Sequence, residues 1–223
     1  MYSAKQHYSE NNYNELIYKG IAGYIFRYQH KILSPNYLIN KKKVLEVGPG
    51  FEPHIKFKKL NFEEYHCLEI NNTEDIKKFY KDNFKNVIFN VYDGSKIDYS
   101  NETFDRVIIS HSLEHISDPE NHVNELLRIL KPNGIISIAL PCDNGLLWRF
   151  GRFYNKLTHN RKNNISDLDY DYFVANEHIN TIFQLKAILK KKFIVKEETF
   201  LPFRIKIIDL NLIYVCQIYK EKN

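Results

Sequence analysis

The chain has 223 residues, enough for one α/β domain with a full core and too few for two comfortable independent ones. Hydrophobic residues make up 43% and charged residues 26%, which excludes a disordered or fibrous protein, and the net charge of +5 decides little because the lysines are interleaved with Asp and Glu. No run reaches the length of uncharged apolar sequence that a bilayer span needs, and Met1-Tyr2-Ser3-Ala4-Lys5 lacks the pattern of a secretory signal. The expectation is a cytoplasmic protein with no membrane span.

Residues 1–42 are rich in Tyr, Asn and Lys and carry an apolar patch at 21–26 that reads as helical and stops near Ser34-Pro35, so this part is expected to be a helical N-terminal cap. From residue 43 to the end, short β-rich runs alternate with helix-length segments. The runs are Val44-Leu45-Glu46-Val47, Tyr65-His66-Cys67-Leu68, Val87-Ile88-Phe89-Asn90-Val91, Arg106-Val107-Ile108-Ile109 and Ile135-Ile136-Ser137-Ile138-Ala139. Such alternation predicts βαβ units and a parallel sheet. Before the last of these runs, Asp118 caps a helix with Pro119 in its first turn and Val123, Leu126, Leu127 and Leu130 on one face; Pro132-Asn133-Gly134 ends it.

The alternation lapses over about residues 142–176, where Trp148, Phe150, Phe153, Tyr154, Tyr170, Tyr172 and Phe173 gather among charges, and this stretch reads as an inserted lid. A helix over 177–191 then leads to a run at Phe193-Ile194-Val195 and an alternating run over 210–219, expected to be an antiparallel partner strand. Cys67, Cys142 and Cys216 lie far apart, without metal-ligand spacing, and read as reduced structural thiols.

Val44-Leu45-Glu46-Val47-Gly48-Pro49-Gly50 is a strand running into a glycine turn, which lets the backbone approach a ligand at the carboxyl edge of a sheet. About twenty residues on, Glu69 closes the next strand, where a carboxylate can accept from both hydroxyls of a ribose. Pro53 stands where a dinucleotide fingerprint wants Gly or Ala, which counts against a nicotinamide cofactor.

The motif Leu45-Glu46-Val47-Gly48-Pro49-Gly50 resembles the first motif of class I S-adenosylmethionine-dependent methyltransferases of the type 11 kind. Asp93-Gly94 resembles their adenine-reading pair, Phe104-Asp105-Arg106-Val107 their fourth-strand signature, and Arg128-Ile129-Leu130-Lys131-Pro132-Asn133-Gly134 their turn before the fifth strand. The resemblance spans about residues 43–141. It implies a Rossmann-like α/β fold with seven strands, mostly parallel with an antiparallel final strand, and helices on both faces. It also implies S-adenosyl-L-methionine as cofactor and S-adenosyl-L-homocysteine as product.

By the same resemblance, Gly48, Pro49 and Gly50 make room for the methionine portion, and Glu46 orients that loop or meets the amino group. Glu69 takes the ribose, Asp93 with Gly94 the adenine, and Ser110 with His111 line the floor beside the sulfonium. Glu52 stands at the family's third glycine and threatens to crowd the cofactor.

His111-Ser112-Leu113-Glu114-His115 spells H-x-x-E-H, a pattern known from zinc proteases; leaving a strand rather than lying on a helix, it is expected to hold no metal. Methyl transfer needs alignment more than a base. If a base acts, His111, His115 and His178 are the candidates, because imidazole titrates near neutral pH. Tyr170, Tyr172, Glu177 and His178 would wall a pocket for a small polar acceptor. Residues 140–149 and 177–180 are similar to methyltransferases of bacterial surface-polysaccharide clusters, which implies a sugar or sugar nucleotide accepting at oxygen or nitrogen. The competing readings are a nucleic-acid or protein methyltransferase, favoured by the basic stretch 149–162, and a non-catalytic cofactor-binding scaffold, favoured by Glu52; no nucleic-acid partner is expected.

Overall fold

A computed structural model describes residue 18 and residues 20–70, 73–94 and 96–220. The predicted N-terminal cap lies partly outside the described residues. Its apolar patch falls in helix α1 (Gly20–Leu33), which ends just before Ser34-Pro35. Strands β1 (Lys43–Val47), β2 (Glu64–Glu69), β3 (Val87–Val91), β4 (Phe104–Ser110), β5 (Leu130–Pro141), β6 (Val195–Leu201) and β7 (Ile213–Tyr219) form one sheet in the order β3-β2-β1-β4-β5-β7-β6. The pairs among β1 to β5 are parallel, and β7 runs antiparallel to both β5 and β6. This is the expected Rossmann-like sheet.

Side chains alternate across a strand with a period of two, and that alternation builds two unlike cores. On one face Leu45, Val47, Val107, Ile109, Ile136 and Ile138 meet helices α3 (Pro119–Ile129) and α6 (Ile182–Lys192) in an apolar layer. On the other face Val44, Tyr65, Cys67, Ile108 and Ala139 pack with α1 and with α2 (Glu74–Asn83). Glu46, Arg106, Ser137 and Gln217 are buried at positions of the same parity as this second layer. Arg106 donates from Nε to Ser137 Oγ at 3.0 Å and from Nη2 to the Leu33 carbonyl at 2.8 Å, and Gln217 Nε2 donates to that carbonyl at 3.2 Å. A cation thereby satisfies a buried last-turn carbonyl of α1, where the helix dipole is negative.

Three expectations need correction. Pro132-Asn133-Gly134 does not precede the fifth strand but lies within it; pairing with β4 shifts register there, and Asn133 takes a positive φ of 60°. The sixth strand is not the apolar run at 193–195. Phe193 caps α6, and β6 begins at Val195 and includes Lys196, Glu197 and Glu198, polar residues that an edge strand tolerates. The helix expected over 177–191 is two: α5 (Asp167–Glu177) stops before His178, and α6 starts afresh with Thr181 and Gln184 in a reciprocal capping box.

A chain of buried rings anchors α1. His30 Nδ1 lies 2.8 Å from His54 Nδ1, Ser34 Oγ 2.6 Å from His54 Nε2, and Tyr18 Oη 2.8 Å from His30 Nε2. Burial pushes His30 down to about 3 and His54 well below its ordinary value. His111, at about 3, and His115 and His122, at about 4, follow for the same reason. The unfolded chain protonates these imidazoles as pH falls below about 6.5, and the folded chain does not until far lower. Their stabilising contribution is therefore full above 6.5 and is lost as pH falls toward 3, with a slope of about 1.4 kcal/mol per pH unit for each excess proton the unfolded chain binds. Glu46 and Glu114, raised to about 7 by burial, act in the opposite sense between about 4.5 and 7 but are fewer. The urea midpoint is expected to drop from pH 6.5 to pH 5, and a midpoint that rises over that interval refutes the assignment.

Candidate active site

The carboxyl edges of β3, β2, β1 and β4 lie side by side, and the sheet's connectivity reverses direction between β1 and β4. Such a switch point opens a crevice for ligands in α/β sheets. Gly48 and Gly50 occupy it with φ of +63° and +54°, a region that side chains other than glycine enter at a cost. A Cβ on Gly48 would stand 2.3 Å from Ser112 Oγ, so this turn admits no larger residue without displacing the loop after β4.

Four contacts hold the turn around Pro49. Gly48 N donates to the Leu68 carbonyl at 2.9 Å, Gly50 N donates to Glu69 Oε1, Tyr80 Oη donates to the Gly50 carbonyl at 2.8 Å, and Ser112 Oγ donates to the Gly48 carbonyl at 3.0 Å. Glu69 is buried at the end of β2, and its Oε2 accepts from Ile70 N at 3.1 Å. A carboxylate offers about four lone-pair directions, the acceptor chemistry that the two hydroxyls of a ribose call for. Asp93 and Gly94 follow β3 two strands away, with Asp93 exposed and Gly94 at φ +85° beside the exposed Ile70. An apolar side chain next to an acid is a fitting surface for adenine.

Glu46 is spent on the protein itself. Its carboxylate accepts from His54 N at 2.8 and 3.1 Å and from Tyr65 Oη at 2.6 Å, fixing the loop that carries the glycines. Glu52 pairs with Lys56 four residues on, at 2.8 Å, which engages the carboxylate that threatened to crowd the cofactor. The turn, the strand-end acid and the Asp93-Gly94 edge thus fit an adenosyl cofactor.

After β4 the chain enters a short turn, Leu113–His115. His111, at φ +52°, places Nε2 2.8 Å from Gln29 Oε1, while Gln29 Nε2 donates to Ser110 Oγ at 3.3 Å. The accepting amide oxygen puts the ring proton on Nε2, and burial against Phe26 keeps the ring neutral. His111 therefore ties α1 to the edge of the sheet. Gln29, buried in α1, gives no motif in the sequence.

The second half of the site assembles three loops. His178 Nδ1 lies 2.6 Å from Asp143 Oδ2, and Arg152 pairs with the same oxygen. His115 donates from Nδ1 to the Glu177 carbonyl, and its ring meets that of His178 edge-on with centroids 5.1 Å apart. Glu114 is buried, with Oε1 3.9 Å from His115 Nε2 and 3.9 Å from His111 Nδ1. Asn180 stitches the loops together: its amide N donates to the Glu114 carbonyl at 3.1 Å and its Nδ2 to the Ile116 carbonyl at 2.6 Å, while Ile182 N donates to the Asp143 carbonyl at 2.9 Å.

Of the expected acceptor wall, Glu177 and His178 come to this place and the two tyrosines do not. Tyr170 is buried with Ile165, Phe173 and Val174 in a small satellite core, and Tyr172 is 72% exposed. Positions two apart on a helix point to different sides, which is why α5 cannot present both rings to one pocket.

Residues 45–138 match a family model described as a methyltransferase domain, a span of less than half the chain that runs from β1 into β5. The sheet is shared with solved structures of low identity. A methyltransferase from Thermotoga maritima is 18% identical with a TM-score of 0.61, covering 95% of each chain. The N-methyltransferase NodS from Bradyrhizobium japonicum, solved with S-adenosyl-L-homocysteine, is 11% identical with a TM-score of 0.60, covering 88% of this chain and 86% of that one. The [4+2]-cyclase SpnF is 12% identical with a TM-score of 0.62, covering 88% and 81%. No curated protein matches the chain.

Methyltransferases and a cyclase share this fold, so fold alone does not choose the chemistry. The domain match, over residues 45–138, supports a methyltransferase that uses S-adenosyl-L-methionine as its cofactor.

Proposed function

We propose that the chain methylates an oxygen or nitrogen of a small polar acceptor in the cytoplasm, a sugar or sugar nucleotide of surface-polysaccharide synthesis. The observation that carries this reading is the convergence of Glu114, His115 and His178 next to the glycine turn, to which Ser112 bonds directly. The bound cofactor supplies an electrophilic methyl group, and the protein's part is to align the acceptor with it.

In this reading Gly48, Pro49 and Gly50 seat the methionine portion, Glu69 the ribose, and Asp93 and Gly94 the adenine. His178, oriented through Nδ1 by Asp143, turns Nε2 toward the acceptor side, and Glu177 holds His115 from behind with its carbonyl. His111, neutral and bonded to Gln29, is left out of the chemistry. The segment 142–176, with α4 (Leu146–Asn155) and α5, meets the acceptor side at Arg152, which pairs with Asp143, and at the end of α5, where the Glu177 carbonyl accepts from His115. Two cations of the basic stretch, Arg152 and Lys156, are already paired with Asp143 and Asp171, which weakens the nucleic-acid reading.

Calorimetric titration with S-adenosyl-L-homocysteine tests the cofactor assignment. Glu69→Ala and Asp93→Ala are each expected to weaken binding by about 1–3 kcal/mol, the scale of a lost hydrogen bond to a charged group. Wild-type affinity in both variants sinks the cofactor assignment. Screening sugar nucleotides for methyl uptake then tests the acceptor class, and turnover only on RNA or protein refutes it.

A further inference from the structure

The three side chains at the acceptor side have a feature that methyl transfer does not require. One ligand atom from each of Glu114, His115 and His178 lies within 4.8 Å of those of the other two. Both imidazoles are held from behind, His115 by the Glu177 carbonyl at Nδ1 and His178 by Asp143 Oδ2 at Nδ1. An oxygen behind Nδ1 fixes the proton there and leaves Nε2 as a lone pair, the arrangement found behind histidines that ligate metals. In front of them stands a carboxylate 2% exposed, whose Oε2 has no hydrogen-bond partner among the described residues. A buried carboxylate oxygen without a partner is costly, and a cation relieves it.

We propose that Glu114, His115 and His178 bind one divalent transition-metal cation, and that an oxygen of the acceptor completes its coordination. The inference rests on the reading of this place as the acceptor side. It reverses the expectation that H-x-x-E-H holds no metal, though by a different ligand set from the protease pattern: His111 is replaced by His178, sixty-three residues after His115. Two nitrogens and one carboxylate leave coordination positions open and favour Mn²⁺, Fe²⁺, Co²⁺ or Zn²⁺ over Mg²⁺ and Ca²⁺, which prefer all-oxygen sites. Ligand atoms around such an ion sit about 3–3.5 Å apart at bond lengths near 2.1 Å, so the 3.9 Å between His115 Nε2 and Glu114 Oε1 needs only a small contraction. His115 at 38% side-chain exposure and His178 at 15% leave a way in from solvent.

The test is calorimetry of EDTA-stripped protein with Co²⁺, in parallel with S-adenosyl-L-homocysteine on the same preparation. One Co²⁺ per chain is expected, weakened at least tenfold in Glu114→Gln and in His178→Ala, and unchanged in His122→Gln, whose ring lies on α3 outside the cluster. Thermal unfolding identifies any variant that fails to fold, and the remaining one then decides. Absence of Co²⁺ binding, or equal binding by the folded cluster variants, overturns the proposal. The parallel titration keeps the two readings apart: cofactor binding without Co²⁺ removes the metal alone, and absence of cofactor binding counts against the acceptor-side reading itself.

Discussion

His178→Ala is expected to lower kcat by roughly 10²–10³-fold while the affinity for S-adenosyl-L-homocysteine stays within about twofold of wild type, the size of effect that follows loss of a group handling the acceptor's proton or reacting oxygen. The separation follows from the structure. His178 bonds to Asp143 on the β5 side, whereas the glycine turn is held by Leu68, Glu69, Tyr80 and Ser112, none of which touches His178 by hydrogen bond. Asp143→Asn should lower kcat in the same direction by loosening the ring. If His178→Ala turns over at the wild-type rate, the histidine has no part in the reaction; if it loses cofactor affinity in proportion to kcat, the loop serves the cofactor instead.

The second large effect concerns stability. Arg106→Ala is expected to destabilise the fold by about 3–5 kcal/mol, the range seen when one member of a buried charged network is removed. Arg106 is 0% exposed, and its loss strands Ser137 Oγ, deprives the Leu33 carbonyl of one donor, and takes away the cation that favours ionised Glu46. Arg106→Met fills the volume and should cost less, because Nη1 has no partner among the described residues and its desolvation is relieved. Urea unfolding of both variants checks this, and equal midpoints for Ala and wild type refute it.

The sheet was legible because its signal is local. Each of the first four strands is a β-rich run a few residues long, bounded by turns, the fifth holds such a run at 135–139, and alternation along each run gives its inward faces. The glycine turn and Glu69 were legible for the same reason, as the ends of adjacent strands. What sequence could not give is who meets whom across loops: Asp143 and His178 are 35 positions apart, and Gln29 and His111 are 82 apart, so neither pair leaves a spacing. The break at 178–181 was available in Thr181 and Gln184, a capping box overridden by the apolar periodicity on either side of it. Tyr170 misled because an aromatic among charges looks the same whether it fills a small core or lines a pocket.

The stitching by Asn180 and Ile182 carries a consequence for how such proteins diversify. Residue 143 enters the 142–176 segment and residues 178–182 leave it at one spot, fastened there by the Asp143 and Glu114 carbonyls. A segment whose two ends are pinned together can vary between them: α5 packs its own small satellite around Tyr170, while Trp148 on α4 stays packed against both cores of the sheet. In the proposed reading, replacing the part of the segment beyond Trp148 is expected to redirect the choice of acceptor and to leave the glycine turn, held by Leu68, Glu69, Tyr80 and Ser112, unchanged.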